Sequence, residues 1–447
     1  MNKPHVAIIG GGCAGLSAAT TLVDHGFSVT LFEASSELGG RARTVKITNK
    51  IGLHLLDNGQ HILLGAYSAT LKLLNKIGLN EKQIFLRLPL QIIMRDCHEK
   101  ITFSLKSAYY LPAPFDMLFA LLGCKGLSLL ERIVAIRLMA KVKISHYRIK
   151  EDCPLESFLI KHQQTKRLIT ILWEPLCLAA LNTPIAMAST QIFLNALHDS
   201  FSKKGNSRGK KNNDFLIPKL DLSKIIAEPI SKYITTKGAK IKLNNRVKSL
   251  VLDENGFTLE TQNEQSFFSH VIIATQAKNL DKLISACPKL NTLATQTKNY
   301  NYQPIYTVYL KYPDSTKLPY VMTGLVNTLA QWAFDKGQLG EQSGLIAVVI
   351  SGSGRHQALT HNELALQVAD ELNRAFPNMP KPLWHQVIAE KRATFSCTPN
   401  LARANNKTLH QNLYLAGDYT YANYPATIEG AIRSGIDCAN LIADSCK

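Results

Sequence analysis

No CxxC pair occurs in the 447-residue sequence, and its nine cysteines (13, 97, 124, 153, 177, 287, 397, 438 and 446) are odd in number and scattered. That excludes a zinc knuckle and a disulfide framework, and it points to a reducing, cytoplasmic setting. No window of 18 or more predominantly apolar residues is present. The longest run free of Asp, Glu, Lys and Arg, Pro175 to His198, is broken by Asn182, Thr183, Pro184, Ser189 and Gln191. A spanning helix is thereby excluded, whereas attachment to a membrane surface is not. The early apolar run Val6-Ala7-Ile8-Ile9 meets glycines at once, so it reads as a buried strand and not as a signal-peptide core. Internal repeats, low-complexity tracts and metal-ligand spacings are all missing.

Acidic residues are few: 33 against 51 Lys and Arg, for a formal net charge of +18. The imbalance is local. Residues 201–250 carry 13 basic and 3 acidic side chains, and residues 131–150 carry 6 and 1. A nucleic-acid coat would spread such charge along the fold or pair it with a reading motif, and neither is seen. Hydrophobic residues at 46% and charged residues at 19% describe a globular chain. At roughly 150 residues per domain, its length suggests two or three domains, with two the better match to compact folds.

The chain opens as strand, glycine turn and helix: Val6–Ile9, Gly10–Gly15 and Leu16–His25. A second strand, Ser28–Phe32, ends at Glu33. Further strands are expected at Ala239–Leu243, Val247–Leu252, Phe257–Thr261 and Val271–Ala274, with Asn255-Gly256 as a hairpin turn. Leu413–Ala416 reads as a short strand and Thr427–Ala443 as a final helix. Two blocks intervene. Residues 80–220 are helical in pattern and Leu-rich, and residues 290–385 hold β-branched and aromatic runs. The segment 203–213 is a loop by composition.

Gly10, Gly12 and Gly15 supply GxGxxG. The first permits a tight turn, the second lets a pyrophosphate approach the backbone, and the third lets the helix pack on the strand. The helix N-terminus that follows presents unpaired N–H groups and a positive dipole end to the phosphates. Glu33, 18 residues after Gly15, is placed to accept ribose hydroxyls. A strand before and an Ala-rich helix behind make this a dinucleotide site.

Glu33-Ala34-Ser35-Ser36-Glu37-Leu38-Gly39-Gly40-Arg41-Ala42-Arg43-Thr44 resembles the second fingerprint of FAD-dependent amine oxidases, phytoene-type desaturases and protoporphyrinogen oxidases. Asp57-Asn58-Gly59-Gln60-His61-Ile62-Leu63-Leu64-Gly65-Ala66-Tyr67 is similar to a segment of the hydroxysqualene dehydroxylases, the squalene-associated FAD-dependent desaturases. Leu172–Thr183, Leu415–Thr420 and Pro425–Gly435 resemble further segments of that group, with Tyr419 standing where the group has Trp. The resemblance runs from end to end.

It implies an α/β fold, with a Rossmann-like FAD-binding domain of amine-oxidase type and a discontinuous α+β substrate domain. The expected division is 1–80, 222–288 and 386–447 for the first, and 81–221 with 289–385 for the second. It implies FAD as the cofactor, held by Gly10, Gly12, Cys13, Ala14, Gly15, Glu33, Ala34, Gly39, Gly40, Arg41, Ala42, Asn58, Gly59, Gln60, Val247, Ala274, Gly417, Asp418, Thr427, Ile428 and Ala431. Gly39, Gly40 and Arg41 would lie against the diphosphate, Val247 by the adenine, and Asp418 by the ribityl or pyrophosphate. The helix start at Thr427–Ala431 would face the pyrimidine end of the flavin, where a positive helix end favours the reduced form.

The activity implied is replacement of an allylic hydroxyl of hydroxysqualene by hydride, giving squalene. The opposite chemistry, desaturation or oxidation of a carotenoid-like isoprenoid or an amine, is the alternative, and a prenyl-lipid escort on the same fold a third. Loss of the hydroxyl as water needs a proton, and His61, Asp57 and Glu174 are the titratable candidates. Rings around Tyr109 and Tyr302–Tyr309 are candidates for shielding an allylic cation. One dinucleotide fingerprint, not two, leaves the electrons to an unidentified donor. The basic segments, Lys203, Lys204, Lys210 and Lys211 among them, beside the apolar run Met117–Leu122, suggest an enzyme held peripherally on the anionic inner face of a membrane.

Overall fold

The computed structural model describes residues 4–49, 52–97, 102–111, 115–202, 210–285, 287–340 and 342–446. Its first strand, His5–Ile9, is almost wholly buried, as its unbroken apolar sequence requires of a parallel strand covered on both faces. It is the middle of a five-stranded parallel sheet in the order Lys240–Lys242, Ser28–Phe32, His5–Ile9, His270–Ile273, Leu413–Leu415. Val6, Ile8, Leu31 and Ile272 pack against the helices Cys13–Asp24 and Ile428–Ser445. These two helices lie so close that a Cβ on Gly435 would collide with the Ala14 carbonyl, and Ser17 donates across the contact to the Ile432 carbonyl at 3.1 Å. Ala7, Ile9, Phe32 and Ile273 face the other way, toward Leu250, Phe257 and Phe268 of an antiparallel meander (Ser249–Asp253, Gly256–Glu260, Gln265–Phe268).

A second sheet has seven strands, ordered Trp384–Phe395, Tyr302–Lys311, Leu345–Ser351, Trp332–Asp335, Met322–Val326, Gln91–Asp96, Phe103–Lys106. Side chains alternate across it. Val308, Leu310, Val348 and Ile350 pack on the helix His361–Ala375, whereas Val349, Trp332, Phe334 and Met322 belong to the core shared with the helices of the first intervening block.

Several expectations need correction. The block 80–220 is not helical throughout, since Phe85–Leu88, Gln91–Asp96, Phe103–Lys106 and Phe215–Pro218 are strands. Two of them extend the seven-stranded sheet by a parallel pairing of Gly324–Val326 with Met94–Asp96, more than 200 residues away in sequence. Short apolar runs such as these carry no period of their own, and a distant partner decides their state. The strand Trp384–Phe395 crosses the 385/386 boundary, pairing with Tyr302–Lys311 on both sides of it. The strand expected from Val247 begins at Ser249, because Val247 turns out of the ladder. The first helix starts at Cys13, three residues before Leu16.

The basic stretch 201–250 does not form one patch. Lys203 and Lys204 lie outside the described residues. Lys210 pairs with Glu81 at 3.1 Å, Lys211 with Asp116 at 3.1 Å, Lys237 with Asp24 at 3.3 Å, and Lys242 with Glu264. Lys211 also donates to the Leu111 carbonyl at 2.8 Å and lies over the Tyr109 ring, so it holds a loop down and is not presented to a partner.

Candidate active site

Gly10 has φ +115°, a conformation that side-chain-bearing residues rarely adopt. A Cβ on Gly15 would fall inside the contact radius of the Gly10 carbonyl, whereas one on Gly12 would meet nothing within 4 Å. So Gly15 is needed for packing and Gly12 borders open space. Gly39 donates to the Gly11 carbonyl at 2.8 Å, and Gly12 bridges to Gly39, which sets the second glycine pair directly on the first turn. Glu33 joins them. Its carboxylate accepts the Gly11 N–H at 2.7 Å and the Ser35 N–H at 2.9 Å. Two carboxylate oxygens offer about four acceptor sites, which leaves capacity for ribose hydroxyls.

Arg41 runs on from this pair. It reaches the Asp418 carboxylate at 2.8 Å and the Ala393 carbonyl at 2.5 Å. Asp418 follows the strand Leu413–Leu415 and is buried, so Arg41 pairs its charge with a carboxylate at this end of the site, where Glu390 also lines the cavity. Burial pushes the Cys13 thiol up to about 11, which keeps it neutral and inert here. Thr427 caps the last helix by accepting the Gly430 N–H at 3.0 Å.

Every cofactor candidate named from the sequence except Gly15 lines a single cavity of about 1720 Å³. That exceeds the roughly 300–1,000 Å³ of an ordinary small-molecule site. The glycine turns, Glu33, Arg41, Asn245, Val247, Ala274 and Asp418 line it. So does a large set of apolar side chains, Leu90, Ile92, Leu121, Met139, Trp173 and Phe334 among them. Buried Gln60 Oε1 and Asn245 Oδ1, both on cavity-lining residues, have no hydrogen-bond partner within the protein. Glycine cradles, a free helix N-terminus and orphaned acceptors fit a bound dinucleotide.

The three acid candidates separate. His61 faces the cavity, and burial, helped by the positive charge of Arg41, lowers its pKa to about 4. It is neutral at pH 7. Asp57 is not in the cavity. It accepts the Leu222 N–H at 2.8 Å and the Thr44 hydroxyl at 3.3 Å, and burial pushes its carboxyl up to about 6. Its role is to join the strand Gly52–Asp57 to the turn before residue 223. Glu174 also lies outside the cavity. Its neighbours Trp173 and Leu176 line the cavity, whereas Glu174 does not, and burial, with the like charge of Glu156, raises its pKa. The aromatic expectation shifts likewise. Tyr109 is under Lys211 and Tyr309 donates to the Asp57 carbonyl at 2.8 Å. The rings that do line the cavity include Tyr67, Trp173, Phe193, Trp332, Phe334 and Tyr424.

Sequence reasoning missed two residues. Arg403 donates to the backbone carbonyls of Asp418 (2.6 Å), Tyr419 (2.8 Å), Tyr421 (3.1 Å) and Tyr424 (3.1 Å), so it shapes the loop carrying Asp418 and Tyr424 into the cavity. No local pattern marks it. Glu429 is fully buried and accepts from the backbone of Ala69 and Thr70, from the Thr70 hydroxyl and from Arg433. It ties the helix after Tyr67 to the one after Thr427. A charged residue inside an otherwise apolar helix start was the available signal.

Fold and site together define a flavin-dependent oxidoreductase. The chain belongs to the flavin-containing amine oxidoreductase family, whose model matches residues 13–443, and its cofactor is FAD. It is 28% identical to a hydroxysqualene dehydroxylase of Zymomonas mobilis, over 97% of this chain and 98% of the relative. A hydroxysqualene dehydroxylase of Rhodopseudomonas palustris is 25% identical over 98% of each chain. The 15-cis-phytoene desaturase of an Oncidium hybrid cultivar is 26% identical, covering 98% of this chain and 78% of that one. Among solved structures, cyclohexylamine oxidase from Brevibacterium oxydans matches with a TM-score of 0.71 at 17% identity, over 99% of both chains. Among the described residues no helix is long and apolar enough to cross a membrane.

Proposed function

We propose that this enzyme removes the hydroxyl of hydroxysqualene and puts hydrogen in its place, yielding squalene and water. One observation carries the reading: the glycine cradle and a large set of apolar side chains line one and the same cavity. When bound, fully reduced FAD would supply the hydride and, in being reoxidised, also release the one proton that leaves with the hydroxyl as water, so that no protein group need be a net proton donor. Gly10, Gly12, Gly39 and Gly40 would take the diphosphate, Glu33 the ribose, and Thr427 and Ile428 the pyrimidine end. The apolar walls align a C30 chain and exclude water. His61, being neutral, acts as a hydrogen-bonding group on the substrate oxygen and not as a stored cation. The electrons come from a separate donor, and the enzyme works against an anionic membrane surface on the cytoplasmic side.

Anaerobic incubation with hydroxysqualene and chemically reduced FAD is expected to give squalene by gas chromatography. Similarity to phytoene desaturases supports a second reading, dehydrogenation of a carotenoid-like isoprenoid. Desaturated product in air without any squalene would replace the first reading with the second. A purified protein that fails to retain added FAD would favour an escort over either.

His61 gives a further test. His61→Ala should lower kcat about 100-fold, and His61→Gln, which keeps an N–H donor, should recover part of it. In the unfolded chain an ordinary His takes its proton near pH 6.5, but folded His61 does so only near 4. Between those values the unfolded state binds more protons, so stability rises with pH, by at most about 1.4 kcal/mol per unit. Asp57, whose carboxyl is raised to about 6, contributes with the opposite sign in the same window, so the test is the difference between the two proteins. Urea denaturation should give His61→Gln a stability that rises less steeply with pH than wild type, by up to that amount. An unchanged slope would place the ring's burial in error.

A further inference from the structure

The helices Phe115–Gly123 and Leu129–Ile144 supply part of the cavity's apolar lining, and their outer sides are unlike ordinary protein surface. On the first, Phe115, Phe119 and Leu122 make a stripe at i, i+4, i+7, exposed by 53%, 53% and 41%. On the second, Leu129, Leu130 and Ile133 are exposed by 68%, 66% and 51%, and Ile144 by 80%. Contiguous exposed apolar surface of this kind marks an interaction site. Exposed Arg137, Lys141 and Lys143 lie between Ile133 and Ile144, and exposed Lys125 joins the two helices. The one acid of the second helix, Glu131, is turned away to its own cap at Ser128 and to Thr165.

The inner sides of the same helices open onto the cavity. Met117, Leu118 and Leu121 line it from the first, and Ile136, Met139 and Ala140 from the second. Phe115 is exposed and lines it too, so the cavity reaches the surface at this pair. Arg132 fixes the two helices together by donating to the Leu122 carbonyl at 2.5 Å, and Asp116 anchors the first to Lys211.

We propose that this helix pair is the membrane-docking surface, seated in the interface of an anionic bilayer, and that the isoprenoid enters the cavity between the two helices without crossing water. Charge chooses the occupant. A second copy would set basic face against basic face, whereas an anionic bilayer complements the Arg and Lys and accepts the Phe, Leu and Ile. The proposal deepens the reading above, from which it takes a lipid ligand and an anionic membrane, and adds the surface that docks. The 131–150 segment is therefore the one that meets the membrane, and the 210–211 lysines are not part of it.

Flotation of the FAD-loaded full chain with phosphatidylcholine vesicles, with and without phosphatidylglycerol, tests this without any substrate, so its failure is separate from failure of the product assay. Wild type is expected to bind the anionic vesicles, less so as salt rises. Phe119, Leu130 and Ile133 all changed to Ser should weaken partition at least about ten-fold. Arg137→Gln with Lys141→Gln should weaken it about thirty-fold on anionic vesicles and flatten the salt response, with Lys125 and Lys143 left to carry the remainder. None of these five residues lines the cavity, so flavin absorbance and turnover of detergent-dispersed substrate should be retained. Undiminished vesicle binding by both variants would overturn the proposal. So would loss, in the Ser variant, of a dimer seen by sedimentation velocity, which would assign the face to a second copy.

Discussion

Replacing Arg41 by alanine is expected to release FAD and to lower the stability of the protein by about 2–3 kcal/mol. The reason is what it leaves behind. Asp418 is buried, and Arg41 is its ion-pair partner at 2.8 Å. Removing one member of a buried pair costs about 3–5 kcal/mol, because the other charge is stranded away from water. Arg41 itself is about a third exposed, so some solvent reaches the pair and the lower figure applies. Asp418→Asn should be milder, since the exposed fraction of Arg41 can turn to water. The double variant should then regain stability relative to Arg41→Ala, a coupling of about 1–3 kcal/mol in urea denaturation of the flavin-free protein. FAD titration followed by fluorescence quenching should show loss of affinity in every variant that lacks the arginine. Additive stabilities, or wild-type FAD affinity in Arg41→Ala, would show that the pair does not hold the site.

Two alanine substitutions three residues apart should fail in opposite ways. At Gly15 the new methyl group meets the Gly10 carbonyl, a backbone atom that cannot rotate aside. Gly15→Ala should lose about 3–5 kcal/mol and drop Tm sharply, although alanine is the better helix former by up to about 1 kcal/mol. At Gly12 the methyl group meets nothing, and the backbone, at φ −79°, suits alanine. Gly12→Ala should therefore melt like wild type in the absence of FAD. It should bind FAD at least ten-fold more weakly, because the methyl group fills the space by which a diphosphate approaches the helix N-terminus. Differential scanning fluorimetry with and without FAD separates the two. If Gly12→Ala is the less stable apo-protein, or if Gly15→Ala keeps its Tm, the division of labour between the two glycines is wrong.

The contrast between these glycines also shows where sequence reasoning works. The strand, turn and helix from His5 to Asp24 are contiguous, and their turn chemistry leaves few alternatives. The order of the glycines and the position of Glu33 follow from a backbone that must approach a phosphate. The fingerprint at Gly39-Gly40-Arg41 was readable only through its resemblance to a family segment, and its docking on Gly11 and Gly12 was not readable at all. The catalytic candidates were another matter. Asp57, His61 and Glu174 sit in equally distinctive segments, yet only His61 points into the cavity. Asp57 is one residue from Asn58, which does, and Glu174 one from Trp173. At that scale, which side of the chain faces the cavity is set by what packs behind it, as Leu222 and Thr44 do by hydrogen-bonding Asp57.

By itself, the sequence determined the fold class, the use of FAD and the glycine turns that line the cavity, since each depends on residues close together in the chain. Tertiary structure alone decided the rest. It brought Gln91–Asp96 to Met322–Val326 across more than 200 residues. It set Arg403 as the clamp of the loop that carries Asp418, and it spent the lysines at 210 and 211 on internal ion pairs. It also left the Leu129–Ile144 helix with apolar and basic side chains facing outward where the cavity reaches the surface. The physical reason is common to all of these. Turn geometry and helix capping act over a few residues, whereas burial, ion pairing and cavity lining depend on which distant segment arrives to complete them.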